Sequence, residues 1–294
     1  MTVFKNVFTS LINPRWWRKF FAKLIPEKIK SNLRNRLFGF GYSKLSKQIY
    51  MNASKECLII AINDVSIKLL SECNESIQYH CFENKDSVEE ITSFVNASII
   101  YGGLLIDVGA ADGMFSIFHC NAGQMNRAIA YEPGGLFKNL NKNKELNELS
   151  NKLSCRNEAI GAINGEISGM MHPNGMFVAQ SEANLSEHVK MVCLDQVLKN
   201  GEHPSIIKID VEGYELEVLV GAREMLKKYK PLVFLELHLD ILEKNKISSA
   251  TILSELSKIG YVFETPLGSR LSINQISKSA KAIYRLIARP KADL

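Results

Sequence analysis

The chain has 294 residues, room for one large domain with an appendage, and its 46% hydrophobic and 23% charged content excludes disordered and fibrous classes. The net charge of +5 is unevenly placed: residues 1–50 hold eleven Lys/Arg against the single acid Glu27, giving +10, and the rest hold 25 against 30, giving −5. Six cysteines without a C-x-x-C pair argue against a zinc cluster or a disulfide scaffold, and fit a reducing, cytoplasmic setting.

Three segments follow from composition: a basic aromatic segment at 1–50, a short β-rich meander at 51–85, and a main domain at 86–294. In the first, Pro14 can open a helix and Pro26 can close it. Trp16, Trp17, Phe20, Phe21, Leu24 and Ile25 would share one face of it, with Arg15, Arg18, Lys19 and Lys23 mainly on the other. Such a face either docks on the protein's own body or a second copy, as in a homodimer, or rests on an anionic membrane surface through residues 1–40. The second option would place the protein peripherally on the inner face of a membrane. No apolar run is long enough to span a bilayer, and no signal-peptide pattern is present. No nucleic-acid partner is expected, because the remaining chain has no basic face.

In the second segment "CLIIAINDVSIKLL" places an Asn-Asp turn between β-prone runs, and "ESIQYHCF" continues the expected meander. A helix is expected over 86–99, with Asp86 as its cap and Ile91, Phe94 and Val95 facing inward. From 104 onward strand patterns at 104–108, 127–132, 153–157, 189–193, 206–210, 232–237, 260–264 and 282–288 alternate with helical ones at 114–121, 135–148, 195–199, 214–228 and 248–259. That alternation predicts a Rossmann-like, mostly parallel α/β sheet with helices on both faces and an antiparallel terminal hairpin. Ligands of such sheets sit at the carboxyl ends of the strands.

The first main strand ends "LLIDVGAADGMFS". Asp107 closes the apolar run, and Gly109 and Gly113 frame a tight turn into a helix. The dinucleotide fingerprint would need glycine where Ala111 and Met114 stand, which disfavours an NAD-dependent oxidoreductase. The second strand ends "IAYEP", setting Glu132 where a carboxylate accepts hydrogen bonds from ribose hydroxyls. An acid at the first strand, a glycine loop without the pyrophosphate glycine, and an acid at the second strand tip together point to S-adenosylmethionine.

In "KIDVEGYE", Lys208, Asp210 and Glu212 alternate with Ile207, Ile209 and Val211, so charges occupy one face of a strand otherwise read as buried. In "ELH", Glu236 and His238 also share a face. Buried charges are costly unless paired or used. Asp210, Glu212, Glu236 and His238 are therefore the candidate catalytic set. His238 would be the general base, oriented by Glu236 or Glu212, and Asp210 would hold the acceptor hydroxyl or the ammonium of S-adenosylmethionine. The alternative is Mg²⁺ held by Asp210, Glu212 and Glu236. Lys208 is expected to pair with Glu236 or Asp210, Glu215 to serve the start of the next helix, and Asp195 to cap a helix.

With these motifs the sequence resembles the FkbM family of S-adenosylmethionine-dependent methyltransferases. The resemblance is carried in collinear order by "DVGAADGMFS", "YEPGGLFKNLNKN", "NEAIGAINGEI", "LDQVL", "IIKIDVEGYELEVLVGA" and "PLVFLELH". The chain departs from it at Ala111, where the family often has Asn. The resemblance implies a class I methyltransferase fold, with seven strands in the order 3-2-1-4-5-7-6 and a reversed last strand. It implies O-methylation, commonly of sugar or natural-product hydroxyls; the basic aromatic N-terminus motivates a glycan or lipid-linked glycan as the expected acceptor. It places Asp107, Gly109, Ala110, Asp112 and Gly113 along the cofactor loop, Glu132 at the ribose and Glu158 near the adenine. The competing class is a non-catalytic cofactor-binding or scaffold protein, recruited to a membrane or partner by its N-terminal helix.

Overall fold

The computed structural model describes residues 49–53, 57–171, 177–179, 187–197 and 202–291. The basic segment, with its expected helix between Pro14 and Pro26, lies outside the described residues. No helix among the described residues is long and apolar enough to cross a membrane.

Three strands come first: β1 (Ile49–Ala53), β2 (Cys57–Ile62) and β3 (Val65–Leu70), paired antiparallel in that order. Alternate residues of β2 and β3 are buried, so Leu58, Ile60, Ile62, Val65, Ile67 and Leu69 form an apolar face. The following "ESIQYHCF" is helical and adds no strand to the meander: α1 (Asn74–Gln78) runs into one π-helical turn over Tyr79–Glu83. Its inward positions, Cys73, Ile77 and Cys81, recur every four residues, a helical spacing that outweighs the β-propensity of the individual residues. The next helix, α2 (Lys85–Ile100), is capped by Asn84, whose side chain accepts from the Ser87 backbone N–H, two residues ahead of the expected Asp86 cap.

The main sheet is laid down by β4 (Leu104–Val108), α3 (Met114–Asn121), β5 (Arg127–Tyr131), α4 (Phe137–Leu146) and β6 (Leu153–Arg156). A side sheet follows, from β7 (Ala159–Ile160), β8 (Gly165–Met171), β9 (Phe177–Ala179) and β10 (Glu187–Val192), ordered β7-β10-β8-β9. The strand expected at 189–193 thus belongs to this side sheet, because β10 is held antiparallel to β8 and never reaches the main one. Beyond α5 (Leu194–Val197) come β11 (Pro204–Ile209), α6 (Glu215–Gly221), α7 (Arg223–Tyr229), β12 (Leu232–His238), α8 (Leu239–Lys244), α9 (Ser249–Lys258), β13 (Tyr261–Glu264), β14 (Arg270–Leu271), α10 (Ile273–Ser277) and β15 (Ile283–Pro290).

The main sheet runs β14-β13-β15-β12-β11-β4-β5-β6. It is parallel from β12 to β6, and β15 runs antiparallel to both β12 and β13. It therefore has eight strands where seven are expected, the short β14 pairing outside β13. The helix expected over 214–228 is broken at Gly221–Ala222. A Cβ on Gly221 would lie 2.0 Å from the Gly161 carbonyl oxygen, so glycine lets the two backbones touch there. Asp195 restarts the helix, its carboxylate accepting from Glu224 N at 3.0 Å and Met225 N at 2.8 Å.

Apolar side chains pack both faces of the sheet. One face carries β2, β3, α2 and α3 through Phe94, Phe115, Phe118 and Phe234. The other is covered through Ile207, Ile209, Val218, Leu235, Leu237 and Leu253. On β11 the alternation follows from the sequence: Ile207 and Ile209 enter the second core, while Lys208 points into the first, its ammonium 4.9 Å from the Phe115 ring.

Candidate active site

A cavity of about 620 Å³ opens at the carboxyl ends of β4, β5 and β11. Of the residues expected from sequence, Gly109, Asp112, Glu132, Glu158, Asp210 and Glu212 line it. Asp107, Ala110, Gly113, Glu236 and His238 do not; they stand behind its wall.

The loop after β4 is held tightly. Gly109 N and Ala110 N both donate to the Tyr131 carbonyl oxygen at 3.0 Å. Gly109 has φ +79°, and a Cβ there would lie 1.7 Å from the Asp210 carbonyl oxygen, so only glycine fits. Asp107 is buried under the loop and accepts from Ser116 Oγ at 2.6 Å; burial pushes its carboxyl up to about 6. Gly113, also left-handed, starts α3. Asp112 is buried, accepts from Met114 N, and touches the Ser76 and Cys73 side chains of the N-terminal segment. Burial moves the Asp112 carboxyl upward and, more than its acidic neighbours, the Cys73 thiol to about 12.

At the tip of β5 Glu132 accepts from Ala111 N at 2.8 Å and Gly134 N at 2.7 Å. Those two bonds fix the carboxylate at the cavity wall, while burial outweighs them and pushes it up to about 7. Ala111 has φ +48°, a left-handed conformation that asparagine tolerates better than alanine. Glu158 is on the same wall, paired with Lys190 at 2.6 Å.

Behind Asp210 lies a buried ion network. Lys208 Nζ is 3.2 Å from Glu90, 3.3 Å from Asp210 and 3.6 Å from Glu236. Arg285 completes it, 2.5 Å from Glu236 and 3.2 Å from Glu90. Lys208 therefore meets both acids expected for it, together with Glu90, which sequence reasoning missed. The signal was present: Ser87, Glu90, Ile91, Phe94, Val95 and Ser98 share one helical face, so Glu90 had to be buried. Arg285, a lone cation in the apolar run of β15, sits directly opposite Glu236 in the strand register.

His238 is 3% exposed, with Nδ1 2.9 Å from Glu215. The carboxylate that orients this nitrogen is therefore Glu215, fully buried at the start of α6, and not Glu236. Nε2 is 3.4 Å from Glu212 and 3.7 Å from Asp210. Burial opposes charge on the ring, but the bonds to Glu212 and Glu215 and the nearby Asp210 outweigh it and push His238 up to about 11. It is an imidazolium at neutral pH and has no lone pair for a base to use. Burial likewise disfavours ionised Asp210, yet Lys208 and His238 hold its carboxyl down at about 2. Glu212 enters this arrangement with φ +50°, a strained backbone at a site where strain tends to be kept for function.

The same wall holds a residue that sequence reasoning passed over. His80, in the π-helical turn, lines the cavity alongside Asp210 and packs edge-on against Phe115 and Tyr79. Its Nδ1 is buried without a hydrogen-bond partner among the described residues, and burial pushes the ring down to about 4, so it is neutral. A π-helical turn at the site is its structural mark. The buried His119, by contrast, is satisfied by Ser98 and the Gly103 carbonyl.

Asp210, Glu236 and His238 bring ligand atoms within 4.8 Å of one another. A divalent cation does not suit them. The Lys208 ammonium already bridges Asp210 and Glu236, and Arg285 holds Glu236, so both carboxylates are answered by protein cations. Mg²⁺ held by Asp210, Glu212 and Glu236 is accordingly set aside.

The methyltransferase FkbM domain profile matches residues 107–263, more than half of the chain and all of the loop, strand tips and ion network save Glu90 and Arg285. The chain belongs to the FkbM methyltransferase family. It is 26% identical over 176 residues to the hexuronic acid methyltransferase AglP of Haloferax volcanii, covering 57% of this chain and 70% of that protein. Among solved structures it is similar to the methyltransferase FkbM of Methylobacillus flagellatus, with a TM-score of 0.42 and 15% identity over 73% of this chain; it spans 57% of that chain. A precorrin-6y C5,15-methyltransferase of Geobacter metallireducens matches with a TM-score of 0.41 and 13% identity, over 69% of this chain and 87% of that one.

Proposed function

We propose that this protein is an S-adenosylmethionine-dependent O-methyltransferase of class I architecture that methylates a sugar hydroxyl. The observation that carries the reading is that one cavity joins a ribose-type carboxylate, Glu132, to an ionised carboxylate, Asp210, backed by a buried cation. The cofactor fits the first half of this wall. Gly109 brings backbone close, Glu132 has lone pairs left for ribose hydroxyls, and Glu158 and Asp112 flank it. When bound, it supplies an electrophilic methyl group.

The remaining chemistry falls to the chain's own residues. Asp210 accepts a hydrogen bond from the acceptor hydroxyl and aligns its oxygen. Lys208 and the cationic His238 keep Asp210 ionised and fixed, so His238 is a positioning residue. Asp210 also takes up the hydroxyl proton as the oxygen gains the methyl group, and His80, kept neutral by burial in the same wall, is a second polar group beside it. Membership of the family supports methyl transfer, and the named activity of the Haloferax volcanii relative supports a sugar as the acceptor class.

The test is transfer of labelled methyl groups from S-adenosylmethionine to a glycan panel, beside calorimetric titration with S-adenosylhomocysteine. Asp210→Asn is expected to lower kcat by about 10²-fold or more while leaving S-adenosylhomocysteine affinity within about twofold. Absence of S-adenosylhomocysteine binding, or wild-type turnover by the variant, would overturn the assignment.

A further inference from the structure

The described wall of the cavity contains neither lysine nor arginine, and seven of its residues are carboxylates. Three of them, Asp112, Glu132 and Glu158, belong to the cofactor half and are met by backbone N–H groups or by Lys190. Asp210 and Glu212 are answered by Lys208 and His238. Glu72 and Glu75 are different. Both are exposed, both come from the short helical segment that begins at Ser71, and neither has an ion-pair partner among the described residues. Among the described residues they leave two negative charges without an ion-pair partner on the solvent side of the cavity. A concave wall of one sign concentrates ligands of the opposite sign and repels its own.

We propose that Glu72 and Glu75 are specificity-determining residues that exclude anionic acceptors, so that the sugar methylated is neutral or carries an amino group and is not a uronate. The inference rests on the reading of the protein as a sugar O-methyltransferase. It runs against direct transfer of the acceptor named for the Haloferax volcanii relative, a hexuronic acid. It also separates acceptor choice from the region that the family profile matches, since that match starts at residue 107 and the two glutamates lie some thirty residues ahead of it.

The experiment compares kcat/KM for three oligosaccharide acceptors of equal length: one neutral, one amino-bearing and one built of uronates. Wild-type protein is expected to use the uronate at least about tenfold less well than the neutral sugar. The double variant Glu72→Gln, Glu75→Gln should narrow that ratio about fivefold, and raising salt from about 20 to about 300 mM should narrow it in the wild type alone. The amino-bearing acceptor should show the opposite salt dependence, losing efficiency as salt rises. A wild-type uronate rate within threefold of the neutral one overturns this inference and leaves the O-methyltransferase reading standing. So does a double variant that slows all acceptors equally without changing their ratio. Transfer to no sugar at all, with S-adenosylhomocysteine bound, overturns the sugar reading and this inference together.

Discussion

Replacing Lys208 by methionine tests whether the network behind Asp210 acts as a unit. Methionine has nearly the same length, so the perturbation is loss of one charge that is 1% exposed and lies within 3.6 Å of three carboxylates. Removing one partner of a buried ion pair costs about 3–5 kcal/mol, because the other charge stays buried. For a chain of this size that corresponds to a fall in Tm of roughly 6–20 °C. The deficit should depend on pH, and its sign follows from the carboxyls. Burial and Asp210 already push Glu236 up to about 8, whereas Asp210 is held at about 2 chiefly by Lys208. Without the ammonium Asp210 rises above its unfolded value, and Glu236, already above its own, rises further. A carboxyl raised on folding contributes stability that is present at low pH and lost as pH climbs through the folded value. The variant should therefore lie furthest below wild type near pH 8.5 and recover toward pH 5. Urea midpoints measured at half-unit steps from pH 5 to 8.5 would show it. A Lys208→Met protein as stable as wild type at pH 8.5, or one whose deficit is flat across the range, would refute the reasoning.

Three further outcomes are expected. Gly109→Ala places a Cβ 1.7 Å from a backbone oxygen at φ +79°, and should cost more than about 3 kcal/mol in urea unfolding or leave the protein insoluble; a soluble variant of wild-type stability would contradict the close approach. Ala111→Gly should stabilise by up to about 1 kcal/mol, the left-handed penalty of about 1–2 kcal/mol less the entropy of glycine, again by urea midpoint. Glu132→Gln should weaken S-adenosylhomocysteine at least about tenfold, because one of its two atoms then presents N–H groups to a backbone donor. Since burial pushes Glu132 up to about 7, wild-type affinity should rise from pH 6 to 8 and that rise should vanish in the variant. Titration calorimetry at both pH values checks it.

Much of the main sheet is legible because β4, β5 and β12 carry short apolar runs, and charged or polar residues stand at or near strand ends at Asp107, Glu132, Asp210 and His238. The site was legible where chemistry and strand parity coincide: Lys208 and Asp210 share a face in sequence and share an ion pair in space. What escaped depends on tertiary contact. Whether an acid next to a histidine orients it depends on helix geometry, and Glu215 reaches His238 from the turn after β11, which no spacing within "ELH" could foretell. His238 reads as a base in isolation; only the three carboxylates around it make it a cation. His80 was hidden because its stretch has β-prone residues, and local propensity is a weak guide where a π-turn is packed against the site.

The segment from Glu72 to His80 supplies one wall of the cavity and lies wholly ahead of the region by which the family is recognised. The strand tips proposed to handle the cofactor are bound to one another by backbone contacts and ion pairs. In the segment ahead of them Cys73, Ile77, Cys81 and His80 are held inward by packing, while Glu72 and Glu75 face outward with few such constraints. Two members of this family with matching loops and strand ends need not share an acceptor, and a chimera that carries residues 71–83 of one into the frame of another would be the natural way to move a preference between them.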